Sequence, residues 1–277
     1  MNGVVWENLE RMMHLKRWLT ALVAIPLLVF MIGFGPRWLF YLFLYLISLL
    51  SLEEFYTITS PDLPKIIKIT SFLVAFLLFQ IIYLHKILLA PAILTLWVFI
   101  PMVWYMLNPS TKQQAVTSEI GRAAMGPFYL VIPLAMLILI DIMPNGKIWI
   151  AFLLVVIFAT DTGGFYFGRL FGKHKLYKAI SPKKTWEGAA GSLISSLMVG
   201  NIFLKIAHID TFNPKTFALI LSLSVISQIG DLSESMLKRN HGVKDSGSIL
   251  PGHGGILDRI DGLIFSIPVL YIYLNLR

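Results

Sequence analysis

Apolar residues run along this chain in long blocks separated by short polar stretches. Crossing a hydrocarbon core of roughly 30 Å takes about 20 helical residues, and the blocks are of that order. Backbone groups inside lipid must satisfy one another, so each block is read as a helix. The pattern places nine spans, at residues 18–34, 38–57, 69–85, 87–107, 126–142, 148–168, 186–207, 216–236 and 262–276. The last is short and starts close to the loop before it. The fold class expected is an all-α polytopic membrane protein.

Composition agrees with that pattern. Of the 277 residues 57% are hydrophobic and 14% charged, with a mean hydropathy of +0.76; a soluble domain carries about 25% charged residues. The N-terminal stretch is polar (Glu7, Glu10, Arg11, Lys16, Arg17) and runs into an apolar block without a small-residue cleavage site, so it is not expected to be a signal peptide. With the N-terminus in the cytoplasm, 17 of the 23 Lys and Arg residues fall on the cytoplasmic side and 6 on the other. The positive-inside rule thus favours nine spans, N-terminus inside and C-terminus outside, and the expected location is the inner (cytoplasmic) membrane. The net charge of +8 flanks membrane spans, which points to anionic lipid headgroups or an anionic substrate and not to nucleic acid. The chain has no cysteine, so disulfides, thiolate metal sites and cysteine nucleophiles are excluded.

Polar chemistry is concentrated in the second half. Residues 1–125 read as a membrane scaffold of about four helices, and 126–277 as the working region. Two cytoplasmic loops stand out, 169–185 rich in Lys, Gly and Pro, and 239–261 rich in glycine. Asp161 lies near the end of one apolar run, roughly 20 Å into its helix at 1.5 Å per residue, and Asp231 ends another. An ionised Asp deep in hydrocarbon costs on the order of 2.5–3.5 kcal/mol, so it needs a partner, a cation or a water-filled cavity. Taken singly, each also fits a headgroup-level residue paired with a nearby lysine.

Together the acidic positions say more. Asp231, Glu234, Ser235 and Lys238 fall at i, i+3, i+4 and i+7 and share a helical face. If a helix begins near Gly255, Asp258 and Asp261 share a face as well. The glycines of the second loop would leave backbone N–H groups free for phosphate oxygens, and a helix N-terminus favours an anion. Aspartates converging with Lys and Arg suit magnesium held by carboxylates and substrate phosphates. His253, between glycines, fits a structural hydrogen-bonding role and a substrate contact about equally. Trp186 fits the helix core or the interfacial belt.

The stretch from Ser235 to Asp261 resembles the signature of the phosphatidate cytidylyltransferases, SxxKRxxxxKDxGxxxPGHGGxxDRxD, without departure. The blocks Asp161–Arg169 and Ser181–Gly188 look like the other polar segments of that family. The similarity covers roughly residues 150–277; the first half matches only in being hydrophobic. The resemblance implies that CTP and phosphatidic acid give CDP-diacylglycerol and pyrophosphate with Mg²⁺, at an active site on the cytoplasmic side. Asp231, Asp258 and Asp261 are the expected metal ligands, directly or through water, with Asp161 the next candidate or a support for a second cation. Asp231, Lys238, Asp258, Arg259 and Asp261 are the expected catalytic group. Lys183, Lys184, Ser235, Arg239, Lys244, Asp245, His253, Gly254 and Gly255 are the expected substrate contacts. A homo-oligomer is compatible with the sequence, which does not fix the oligomeric state. A CTP-dependent lipid-alcohol kinase would need a general base for its hydroxyl acceptor. The DGxxAR…GxxxD…D pattern of the CDP-alcohol phosphotransferases is absent. A transporter would show repeat-related broken helices, whereas the polar residues here crowd one side and one half.

Overall fold

A computed structural model describes residues 26–108, 116–249 and 254–277. Among the described residues, seven helices are long and apolar enough to cross a membrane. They are α1 (Arg37–Thr59), α2 (Lys65–Tyr83), α3 (Ala90–Leu107, led in by a 3₁₀ turn at Ile87–Leu89), a span made of α4 (Val116–Gly126) and α5 (Ile132–Asp141), α6 (Gly146–Phe171), α7 (Trp186–Ala207) and α8 (Pro214–Asn240). A further long helix, α9 (Leu257–Leu276), carries Asp258, Arg259 and Asp261 in its first turns. Of the nine spans expected, 18–34 lies partly outside the described residues and 262–276 falls within α9.

Helix starts follow local chemistry. Pro36 and Pro64 precede α1 and α2, where a proline costs no intrahelical hydrogen bond. Asn213 begins α8 with a capping box: its Oδ1 accepts from the N–H groups of Lys215 and Thr216, and Thr216 Oγ1 accepts from Asn213 N–H. Thr185 Oγ1 accepts from Gly188 N–H at the start of α7.

Three features depart from the expected spans. The segment 126–142 is preceded by α4, whose Glu119 and Arg122 kept its mean hydropathy low and hid it as a polar loop. α6 and α8 continue past their apolar runs, so Arg169 and Arg239 sit on helices and not in loops, and Lys238 lies on the helix of Asp231 as its spacing suggested. The loop between α6 and α7 contains an antiparallel ribbon, β1 (Lys175–Tyr177) with β2 (Ser181–Thr185), which an all-α reading did not include. The N–H groups of Lys173 and His174 donate to Glu187 in the first turn of α7, which ties down the start of the ribbon.

Between lipid-embedded helices there is little hydrophobic driving force, and close approach of small residues with interhelical hydrogen bonds replaces it. That is how α6 meets α7. A side chain at Gly163 would collide with Ser195, one at Gly191 with Phe167, and one at Gly164 would lie 2.6 Å from Ser192 Oγ. Ser192 Oγ donates to Thr160 O, and Thr160 Oγ1 bonds Ser224 Oγ on α8 at 3.0 Å. α8 and α9 cross as closely: a Cβ at Gly230 would lie 2.6 Å from Asp261 O, and one at Gly262 would collide with Ser227. Each glycine is next in sequence to an acidic residue, Asp231 and Asp261, so the tight crossing sets those carboxylates beside each other. The first half packs against the segment 127–141 around Leu52, Phe55, Tyr56, Trp97, Leu130 and Leu134, all essentially buried.

Candidate active site

Two adjoining cavities open where α6, α7, α8, α9 and the ribbon meet. The larger, about 680 Å³, is walled by α6, the ribbon, the start of α7 and α8. Its charged lining is Arg169, Lys175, Lys183 and Lys184 against Asp161 and Asp231, an excess of two positive charges. The smaller, about 270 Å³, is lined by Asp161, Asp231, Asp245, Asp258 and Asp261 against Lys238 and Arg259, an excess of three negative charges. Asp161 and Asp231 belong to both. One chamber therefore favours a polyanion, the other a cation, and the two aspartates form the seam between them.

Around the seam the contacts are specific. Lys184 Nζ lies 2.7 Å from Asp231 Oδ2, an ion pair poorly aligned for a hydrogen bond. Ser235 Oγ donates to Asp231 Oδ1 over 3.3 Å, one turn along α8. Lys238, its side chain 12% exposed, lies 2.5 Å from both Asp258 Oδ1 and Glu234 Oε2. Asp258 Oδ2 accepts from Ser246 N–H at 2.9 Å and Gly255 N–H at 2.8 Å. Both oxygens of Asp258 are thus already engaged by this chain. Asp261 faces the small cavity, its Oδ1 accepting from Gly262 N–H.

The expected site residues divide accordingly. Asp161, Asp231, Lys183 and Lys184 line the large cavity, and Asp161, Asp231, Lys238, Asp245, Asp258, Arg259 and Asp261 the small one. Ser235 touches Asp231 without lining either. Arg239 reaches back instead, its guanidinium 3.5 Å from the carbonyls of Ile180 and Val243, and Lys244 is exposed outside both cavities. His253 lies outside the described residues. Gly254 has φ +83°, and a Cβ there would lie 2.5 Å from Asp258 Oδ2, so its lack of a side chain serves the loop that Asp258 holds.

At the end of the glycine-rich loop, three backbone N–H groups are taken by this chain's own carboxylates. Gly255 N–H is taken by Asp258, and those of Ile256 and Leu257 by Glu54 of α1. Glu54 was missed, as were Arg169 and Lys175. It stands in the apolar run of the expected span 38–57, the same signal that drew attention to Asp161.

Hard carboxylate oxygens and a net negative lining fit a divalent cation of the magnesium type. Among the described residues, no three acidic or histidine side chains are arranged to enclose an ion.

Comparison with known proteins follows the same lines. The profile described as the cytidylyltransferase family matches residues 15–277. A phosphatidate cytidylyltransferase of Bacillus subtilis is 47% identical over 131 residues, covering 47% of this chain and 49% of that protein. One from Staphylococcus haemolyticus is 50% identical over 133 residues, 47% of this chain and 50% of its own length. One from Staphylococcus saprophyticus is 48% identical over 130 residues, with the same two shares. The matched stretch spans about half the length of these relatives.

Proposed function

The chain belongs to the cytidylyltransferase family, and from that premise we propose that it joins CTP to phosphatidic acid, giving CDP-diacylglycerol and pyrophosphate. The observation that carries this reading is the pair of oppositely charged cavities meeting at Asp161 and Asp231. A phosphate oxygen of phosphatidic acid attacks the α-phosphorus of CTP. The bond from that phosphorus to its bridging oxygen breaks, and pyrophosphate leaves with the electron pair. The nucleophile is already an anion, so no general base is needed; the demands are charge neutralisation and in-line placement.

The basic wall of the large cavity, Arg169, Lys175, Lys183 and Lys184, neutralises the phosphates. Asp231 and Asp261, with Asp161 beside them, would hold Mg²⁺ directly or through water, and a second cation has carboxylates to spare. Bound there, magnesium supplies positive charge to the phosphates and aligns them. Asp258, expected among the ligands, serves better by fixing Lys238, since its own oxygens are occupied. Arg259 adds positive charge on the side of the small cavity. Nucleotide enters from the cytoplasm and lipid from the bilayer. Nine spans with the N-terminus inside, in the inner membrane, would put both cavities on the nucleotide side. Residues 126–277 then carry the chemistry, and 1–125 the scaffold that backs it.

The test is product analysis with detergent-purified protein, CTP, phosphatidic acid and Mg²⁺. Equal amounts of CDP-lipid and pyrophosphate are expected. CDP with a newly phosphorylated lipid alcohol would replace this reading with a kinase, and folded protein without turnover would end it.

A further inference from the structure

Glu54 joins the two halves of the molecule beside the site. It lies on α1, in the half read from sequence as scaffold, and is 5% exposed. Its neighbour Glu53 points outward to Lys68, 2.5 Å away. Glu54 points inward and accepts three hydrogen bonds from the signature loop, all from neutral donors: Ile256 N–H at Oε1, and Leu257 N–H and Ser246 O–H at Oε2, each 2.9 Å. Ile256 and Leu257 begin α9, where N–H groups have no partner inside the helix and the helix end favours a negative charge. The carboxylate of Glu54 meets both needs.

The loop is shaped around it. A Cβ at Gly247 would lie 2.5 Å from Glu54 Oε1, and one at Gly255 would collide with Ser246 Oγ and Glu54 Oε2. At both signature glycines a Cβ would crowd this internal carboxylate. From Glu54 the contacts continue inward. Ser246 donates its hydroxyl to Glu54 and its N–H to Asp258, and Asp258 N–H donates to Ser246 Oγ over 3.3 Å. Asp258 holds Lys238, and both line the small cavity.

We propose that Glu54 is a positioning residue, which clamps Ser246 to the start of α9 at Ile256 and Leu257 and through Ser246 and Asp258 sets the ammonium of Lys238 in the small cavity. It touches neither substrate. Its effect belongs to the rate of the transfer and not to the binding of CTP or phosphatidic acid, whose phosphates lie against the basic wall of the other cavity. This rests on the cytidylyltransferase reading for its kinetic part and not for its structural part.

Glu54→Gln keeps size and shape but turns an –NH₂ toward donors that need an acceptor. Hydrogen exchange of the segment 244–260 and steady-state kinetics are measured on the same purified protein. Expected are faster exchange at the start of α9 with the rest of the protein unchanged, a kcat lower by about 10- to 100-fold, and KM for both substrates within about twofold. Ser246→Ala, which leaves both N–H contacts of Glu54 in place, should lower kcat less, by about three- to tenfold. The double variant should be no worse than Glu54→Gln alone by more than about twofold, because both act along one chain of contacts. If Glu54→Gln does not fold, Ser246→Ala decides alone, and wild-type kcat in it overturns the proposal. Unchanged exchange, unchanged kcat, or a loss that appears wholly in KM also overturns it. Altered exchange in a protein whose wild type shows no cytidylyl transfer would leave the clamp standing and remove the proposed reaction instead.

Discussion

Lys184 and Asp231 stand 2.7 Å apart where the two cavities meet, which makes them the most informative single positions. In the proposed reaction Lys184, on the basic wall, gives a substrate phosphate a charge-assisted hydrogen bond worth about 1.5–3 kcal/mol, and every 1.36 kcal/mol is tenfold in rate. Lys184→Met should therefore lower kcat/KM by about 10- to 100-fold, read from initial rates over a range of both substrates, without changing the amount of folded protein. A second residue-scale prediction concerns Gly255, where a methyl group would press on Ser246 and Glu54. Overpacking of this kind costs about 1–3 kcal/mol, so Gly255→Ala should lower both turnover and thermal stability. Equal turnover in that variant would mean the loop can shift without consequence.

At this scale the sequence was legible where polarity was out of place. Asp161 and Asp231 showed themselves against long apolar runs, and both line the two cavities. Asp258 showed itself through its motif, but a motif does not say whether an oxygen faces a metal or a lysine. Its engagement with Lys238, Ser246 and Gly255 depends on a loop that bends back by a dozen residues. Glu54 acts across some two hundred positions, a separation over which no local pattern carries information. Lys244 and Arg239 belong to the motif yet sit outside the cavities, because spacing along a chain does not fix the direction of a side chain.

Among the elements, the crossing of α6 and α7 is set by glycines more than by hydrogen bonds. Interhelical hydrogen bonds in membranes average about 0.6 kcal/mol, whereas steric overlap in a packed interface costs about 1–3 kcal/mol. Ser224→Ala, which removes the contact with Thr160, should thus barely move the unfolding midpoint in detergent. Gly191→Val, driven against Phe167, should lower it by several degrees; the reverse order would refute this view of the interface. The helices α3 and α7 were placed by sequence to the residue or nearly so, whereas α2 begins four residues before the expected span. α4 was missed because its apolar face is interleaved with Glu119 and Arg122, and the ribbon because three- and five-residue strands leave too short a pattern.

For the whole molecule, the proposed orientation can be tested with little interference, since the chain has no cysteine of its own. Lys178, in the turn of the ribbon, and Lys215, at the start of α8, are both exposed. Single cysteines at these two positions should label from opposite sides of right-side-out and inverted vesicles, Lys178→Cys from the cytoplasmic face and Lys215→Cys from the other. Labelling of both from one side would overturn the orientation. The meeting of a basic and an acidic cavity is also a property of the whole fold, as it draws on α6, α7, α8, α9 and the ribbon together. It is tested most directly by the Mg²⁺ dependence of pyrophosphate release from CTP and phosphatidic acid, in wild-type protein and in Asp231→Asn. Saturable dependence on Mg²⁺ in the wild type, with turnover in the folded variant at least about 100-fold lower at every Mg²⁺ concentration, is the predicted result. Near-wild-type turnover in Asp231→Asn, with the same Mg²⁺ dependence, would contradict the account.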